Sequence, residues 1–178
     1  MSAPDADAPE EIRWQGKFIT AKQRGRWEYV SRARGIRAAA VLAVDDGHVL
    51  LVEQYRVPLG RPCIEMPAGL IGDENEQESE EETAARELEE ETGYRADKIE
   101  PLGEFWSSPG MVSESFTLMR ATGLTKVGEG GGVDGENITV HRVLLAGLSQ
   151  FIEACRARGC GVDVKLLLLL GGGYLAGA

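Results

Sequence analysis

Of the nineteen residues at 73–91, eleven are acidic and one, Arg86, is basic. The other 159 residues hold 18 acids and 18 bases, so the whole net charge of −10 sits in this one stretch. A fold containing it must either leave it in water or gather cations around it. Its second half reads as a helix. Ser79 with Glu82 three residues on makes a capping box, and Gly93 is placed to end the helix. Over 79–92, Ala84, Ala85 and Leu88 supply an apolar side. Glu87, Glu90 and Glu91 fall at i, i+3 and i+4, on neighbouring positions of one face. Each such like-charged pair costs roughly 0.2–0.5 kcal/mol even when exposed. The three also occupy the last turn, where the helix dipole favours cations over anions. A solvated acidic face is the plain alternative. A divalent cation would remove both penalties, because hard cations such as Mg²⁺ take carboxylate oxygens. Arg86 can pair with Glu90 or reach back to Glu78, fixing the helix to the loop before it.

The remaining chain supplies the frame. Residues 1–10 are acidic and Ala/Pro-rich and are expected as a disordered tail with no secretory leader. Residues 11–35 hold an antiparallel strand pair, 11–20 and 26–32, joined by a polar turn at 22–25. Residues 36–178 form the main domain. It has a buried strand at 36–44, a hairpin turn at Asp46-Gly47, a return strand at 48–54, and a short strand at 63–66 feeding a loop at 67–78. Further strands are expected near 100–106, 114–121 and 137–145, with helices near 147–158 and 163–173. Residues 128–135 (GEGGGVDG) read as a flexible loop. The class is α/β (α+β), a mixed sheet with helices packed on it. The apolar run at 164–175 is too short to span a bilayer and is broken by glycines. Three cysteines without metal-ligand spacing suit reduced thiols in a cytoplasm, and Cys63 reads as a small core residue.

The acidic helix carries a family signature. Gly72, five residues, Glu78, seven residues, then Arg86-Glu87-Leu88-Glu89-Glu90-Glu91-Thr92-Gly93-Tyr94 resembles the Nudix box, and the resemblance extends over about 13–145. It implies the Nudix fold, a mixed β-sheet sandwiched between helices, and hydrolysis of a nucleoside diphosphate linked to another moiety. Gly69, in Glu65-Met66-Pro67-Ala68-Gly69, is the alternative to Gly72 as the structural glycine. That choice implies a three-residue insertion and is the one preferred here. The resemblance also implies that the Ala68 carbonyl joins Glu87, Glu90 and Glu91 in holding two or three Mg²⁺ (or Mn²⁺) ions.

Features outside the box resemble the ADP-ribose pyrophosphatase and ADP-sugar diphosphatase subgroup. Pro109, within Ser107-Ser108-Pro109-Gly110, lies 16 residues after Gly93. Segments 16–18 and 26–32 resemble those used around adenine. They imply Phe18 and Trp27 stacking on the base, Glu28 hydrogen-bonding it, and Arg32 meeting phosphate or ribose. Flat aromatics give contact area at low entropy cost, and Arg forks onto phosphate oxygens. The plain alternative makes Phe18 and Trp27 strand core. Arg56 is the expected contact to the diphosphate, with Ser108 and Pro109 lining the substrate. Glu136 matches a catalytic or metal-binding glutamate, with Asp134 its alternative; a carboxylate on such a loop can close on the metals when substrate arrives. The implied assembly is a homodimer whose N-terminal strands complete the partner's site. ADP-ribose would give AMP and ribose 5-phosphate. A GDP-hexose or a nucleoside triphosphate is the alternative substrate, and a non-catalytic nucleotide-sugar sensor the alternative class. Nothing basic is left over to bind nucleic acid.

Overall fold

The computed structural model describes residues 4–72, 78–133 and 135–175. Three strands, β1 (Glu10–Gln15), β2 (Ile19–Arg24) and β3 (Trp27–Arg32), make a separate antiparallel sheet in the order β1-β2-β3. The expected N-terminal pair is thus three strands. The stretch 11–20 breaks at residues 16–18, and β2 runs through Lys22 to the turn at Gly25, whose φ of 56° lies in the left-handed region that glycine enters without strain. In the segment read as a tail, residues 1–3 fall outside the described residues. Asp5 accepts a hydrogen bond from Arg26 at 2.8 Å, and Glu10 opens β1.

The main sheet has eight strands: β4 (Arg37–Asp45), β5 (His48–Arg56), β6 (Arg61–Glu65), β7 (Ala68–Ile71), β8 (Tyr94–Trp106), β9 (Ser115–Lys126), β10 (Thr139–Leu144) and β11 (Gly161–Val162). The order β11-β6-β5-β4-β9-β8 carries β10 beside β5 and β7 beside β4. It is mixed, with β4–β9 and β6–β11 parallel and the other pairs antiparallel. Two of the expected boundaries move. β7 lies inside the expected 67–78 loop, pairing Ala38 with Leu70 and Ala40 with Ala68. β8 starts at Tyr94 rather than near 100, with a register shift at 101–103 where Pro101 has no N–H to give the ladder.

Strand periodicity divides the core. Ala39, Val41 and Ala43 of β4 face α1 (Glu80–Thr92), meeting its Ala84 and Leu88 along with Leu50, Met119 and Ala121. The opposite face packs Ala40, Val49, Leu51, Ile64 and Met66 against α2 (Leu148–Ala157) and α3 (Leu167–Leu175), through Leu148, Ile152 and Leu170. The expected sandwich of sheet between helices is what forms. Among the described residues, no helix is long and apolar enough to cross a membrane.

Candidate active site

Helix α1 starts as its sequence dictates. The Ser79 hydroxyl accepts from the Glu82 N–H at 3.1 Å, and the Ser79 N–H donates to Glu82 Oε2 at 2.9 Å. Its far end closes on Gly93, at φ 73°, whose N–H donates to the Glu89 carbonyl at 2.8 Å. Arg86 makes both of the pairings expected of it, to Glu78 and Glu90, and adds Glu87. It donates to Glu78 at 3.1 and 3.2 Å, to Glu87 at 3.0 Å and to Glu90 at 3.2 Å. Glu78 is also bonded by the Thr83 hydroxyl at 2.9 Å, and Arg86 holds its carboxyl below the usual carboxylate range. Glu89 points elsewhere, to an exposed pairing with Arg95 at 2.9 Å.

The glutamates of the last turn lie between this helix and β7. Glu91 is only 6% exposed and accepts a hydrogen bond from the Ala68 N–H at 3.0 Å. Burial, followed by the charges of Glu87 and Glu136, pushes its carboxyl up to about 8 despite that bond and Arg56. Glu87 is also raised, by burial first, with Glu90 and Glu136 adding to it against the pull of Arg86. The charge of Glu136, from a distant part of the chain, therefore bears on both Glu87 and Glu91. Gly69 gives Glu87 room, because a Cβ there would lie 2.0 Å from the Glu87 carboxylate. Gly72 meets a different demand, a φ of 79° where β7 turns away. Asp134 and residues 73–77 lie outside the described residues.

Among the described residues, no three acidic, His or Cys side chains are grouped tightly enough to hold a metal ion as they stand. Glu87 and Glu90 lean on Arg86, and Glu136 Oε2 accepts from the Val133 N–H at 2.9 Å. The donor set still fits a hard divalent cation. Glu91 is a buried carboxyl whose ionised form burial disfavours, and positive charge added at that spot would relieve it.

Arg56 enters from the end of β5. A carboxylate that sequence reasoning missed orients it: Glu65, 7% exposed, takes both arms of the guanidinium, at 2.7 and 3.0 Å. Nothing in the spacing marks Glu65, since it ends a short strand before Met66-Pro67. Arg32 is likewise held at 2.5 Å by Glu114, another residue the sequence did not single out. That pair joins the N-terminal sheet to the 108–114 loop. Val30 bonds Met111 and Ser113 of the loop at 2.9 and 3.0 Å, and the Ser108 carbonyl accepts from Met111 and Val112. Pro109 is exposed on the same loop, and Glu28 is exposed on β3. Phe18 and Trp27 are 60% and 56% exposed, so in this chain they are not strand core. No hydrogen bond or ion pair among the described residues links Phe18, Trp27 or Glu28 to the glutamate cluster. Cys63 is buried, and burial pushes its thiol up to about 12, as suits a core residue.

A sheet lies between helices, and a capped acidic helix sets its last-turn glutamates against the start of β7. The chain belongs to the Nudix hydrolase family, with the NUDIX domain model matching residues 33–146. It is 40% identical over 119 residues to an ADP-ribose pyrophosphatase of Bacillus subtilis (strain 168), covering 66% of this chain and 63% of that one. It is 36% identical over 157 residues to a GDP-mannose pyrophosphatase of Cronobacter sakazakii, covering 83% of this chain and 76% of that one. A crystal structure of an ADP compounds hydrolase shares the fold, with a TM-score of 0.69 at 23% identity over 95% of this chain and 92% of that one. The chain spans a little under two thirds of the Bacillus relative's length.

Proposed function

We propose that this chain hydrolyses the diphosphate of ADP-ribose, or of a closely related nucleoside diphosphate sugar, in a Mg²⁺- or Mn²⁺-dependent reaction giving AMP and ribose 5-phosphate. The observation that carries the reading is the burial of Glu91 against the Ala68 N–H at the start of β7, with Glu87 packed on Gly69 beside it and the charges of Glu136 and Arg56 bearing on the same spot. Two or three divalent ions held by Glu87, Glu90, Glu91 and the Ala68 carbonyl would neutralise the diphosphate and activate the attacking water. The chain's own groups do the rest. Arg56, braced by Glu65, reaches the diphosphate with its remaining donors. Glu136 orients the attacking water or takes its proton. Arg32, braced by Glu114, meets phosphate or ribose, and Ser108 and Pro109 line the path from the 108–114 loop.

The adenine half of the pocket is assigned to Phe18, Trp27 and Glu28 on an N-terminal sheet that serves a second copy. Ile12, Trp14, Phe18 and Trp27 are each more than half exposed, an apolar surface that a homodimer would cover. The resulting site would draw on both protomers. A GDP-hexose is the second reading, favoured by the similarity to the Cronobacter GDP-mannose enzyme over most of both chains. A binding-only sensor is disfavoured because every box glutamate is present. Incubating the purified protein with Mg²⁺ and ADP-ribose, GDP-mannose or a nucleoside triphosphate, then separating products, tests the proposal. Selective AMP release supports it, cleavage of GDP-mannose alone moves the second reading forward, and binding without cleavage leaves a sensor.

A further inference from the structure

The glycine-rich run after β9 is not a free tether. Residues 127–132 lie against the C-terminus of α1, backbone to backbone. The N–H groups of Val127 and Gly128 donate to the Gly93 carbonyl at 2.8 and 3.0 Å. Those of Gly131 and Gly132 donate to the carbonyls of Glu91 and Glu90 at 2.9 and 3.0 Å. Two of the helix's last carbonyls, otherwise without intrahelical donors, are capped by this loop. The residues capped are Glu90 and Glu91, whose side chains belong to the candidate metal site.

Glycine is required here for space as well as for φ. A Cβ on Gly130, at φ 69°, would lie 2.4 Å from the Thr92 carbonyl carbon, 2.6 Å from Glu91 O and 2.7 Å from Gly93 N, all backbone atoms that cannot step aside. A Cβ on Gly132, at φ 76°, would lie 2.2 Å from Glu136 Oε2. Gly135, at φ 94°, has nothing within 4 Å and marks where the close approach ends. Glu136 is fastened to the docked part. Its N–H donates to the Val133 carbonyl at 3.1 Å, its carboxylate accepts from the Val133 N–H, and the Ile138 N–H donates to the Gly131 carbonyl at 3.1 Å.

We infer that Gly130 and Gly132 are positioning residues for Glu136: by letting the loop dock on the last turn of α1, they hold the Glu136 carboxylate at that end of the helix. The inference rests on the proposed hydrolase reading for its kinetic readout and stands apart from it in its structural readout. A tether of ordinary flexibility would present Glu136 only part of the time, and misplacement by about 1 Å can cost on the order of 100-fold in rate.

The test compares Gly130→Ala, Gly132→Ala and Gly135→Ala in the full chain. The Gly135 variant, at φ 94°, introduces positive-φ strain without the collision. Gly130→Ala and Gly132→Ala are expected to lower kcat at least about tenfold with KM changed by less than about twofold, while Gly135→Ala stays within about twofold of the parent. In a Glu136→Gln background, Gly130→Ala should change kcat by less than about twofold, because the group it positions is already gone. Independently of activity, amide hydrogen exchange at Gly131 and Gly132 in the metal-free protein should be slow in the parent and in Gly135→Ala, and fast in Gly130→Ala. Should Gly130→Ala fail to fold by thermal melting, Gly132→Ala decides, since its clash is with a side chain. Equal rate losses in the presence and absence of Glu136, or equal losses for Gly130→Ala and Gly135→Ala, overturn the inference. Fast exchange at Gly131 and Gly132 in the parent overturns it too. If no substrate is cleaved but exchange follows the expected pattern, the docking stands and the hydrolase reading falls.

Discussion

Glu91→Gln should remove activity and stabilise the metal-free protein, two effects that a merely structural residue would not combine. The unfolded chain releases the Glu91 proton near the ordinary carboxylate value of 4.5, whereas burial holds it in the folded chain up to about 8. The folded state therefore binds more protons than the unfolded state between those values, and stability is lost as the pH rises through that window. Integrating the difference gives a penalty of under about 1 kcal/mol at pH 5 and about 3 kcal/mol at pH 7, with a plateau above pH 8. Gln carries no such penalty, and its carbonyl can still accept from the Ala68 N–H. At roughly 2–4 °C per kcal/mol for a domain of this size, the variant should melt about 6–12 °C above the parent at pH 7, and only about 2 °C above it at pH 5. The assay is a thermal melt with chelator, repeated across pH 5–9, followed by turnover with Mg²⁺. Adding Mg²⁺ should raise the parent's Tm and leave the variant's almost unmoved. A variant that melts below the parent, or a gap independent of pH, would show that burial does not raise the Glu91 carboxyl.

The remaining expectations follow from the same geometry. Gly69→Ala would place a methyl group 2.0 Å from the Glu87 carboxylate; turnover should fall at least about tenfold, with Mg²⁺ titrations showing weaker binding. Arg56→Ala should raise KM for the diphosphate substrate about tenfold and lower stability by about 1–3 kcal/mol in denaturant titrations, because Glu65 is left buried and unpaired. Trp14→Ser should shift the chain from dimer to monomer in light scattering and reduce activity with it; a monomeric parent would discard the shared-site proposal.

How far the fold was legible depended on how many independent signals agreed at each place. The acidic helix was specified several times over: a capping box, an apolar side, a terminal glycine and an arginine between glutamates. Its limits and ion pairs accordingly fall where the spacing puts them. The N-terminal segment offered only polar–apolar alternation, which continues across the turn at 16–18, so a strand boundary was hidden. β7 was hidden differently. Ala68–Ile71 is four residues long and runs straight into the acidic loop, so composition spoke for loop while pairing with β4 made it a strand.

The candidate site divides in the same way. Glutamates on one helix are readable because helical spacing places them together. Their buried partners from other elements are not, which is why Glu65 behind Arg56 and Glu114 behind Arg32 emerge only in three dimensions. The glycines at 130–132 are the sharpest instance. In sequence they mean freedom, whereas in the fold Gly130 lies hard against α1 and Gly132 against Glu136, and composition alone does not distinguish the two.

The acidic helix is proposed to serve hydrolysis of a nucleoside diphosphate sugar, with ADP-ribose preferred. The most direct measurement is product analysis after incubating the purified chain with ADP-ribose and Mg²⁺, with GDP-mannose in parallel and Glu91→Gln as the control. AMP and ribose 5-phosphate in equal amounts from the parent, little from GDP-mannose, and none from the control is the predicted result. Intact ADP-ribose at the end of the incubation, with Mg²⁺ present and the chain folded, would contradict the claim.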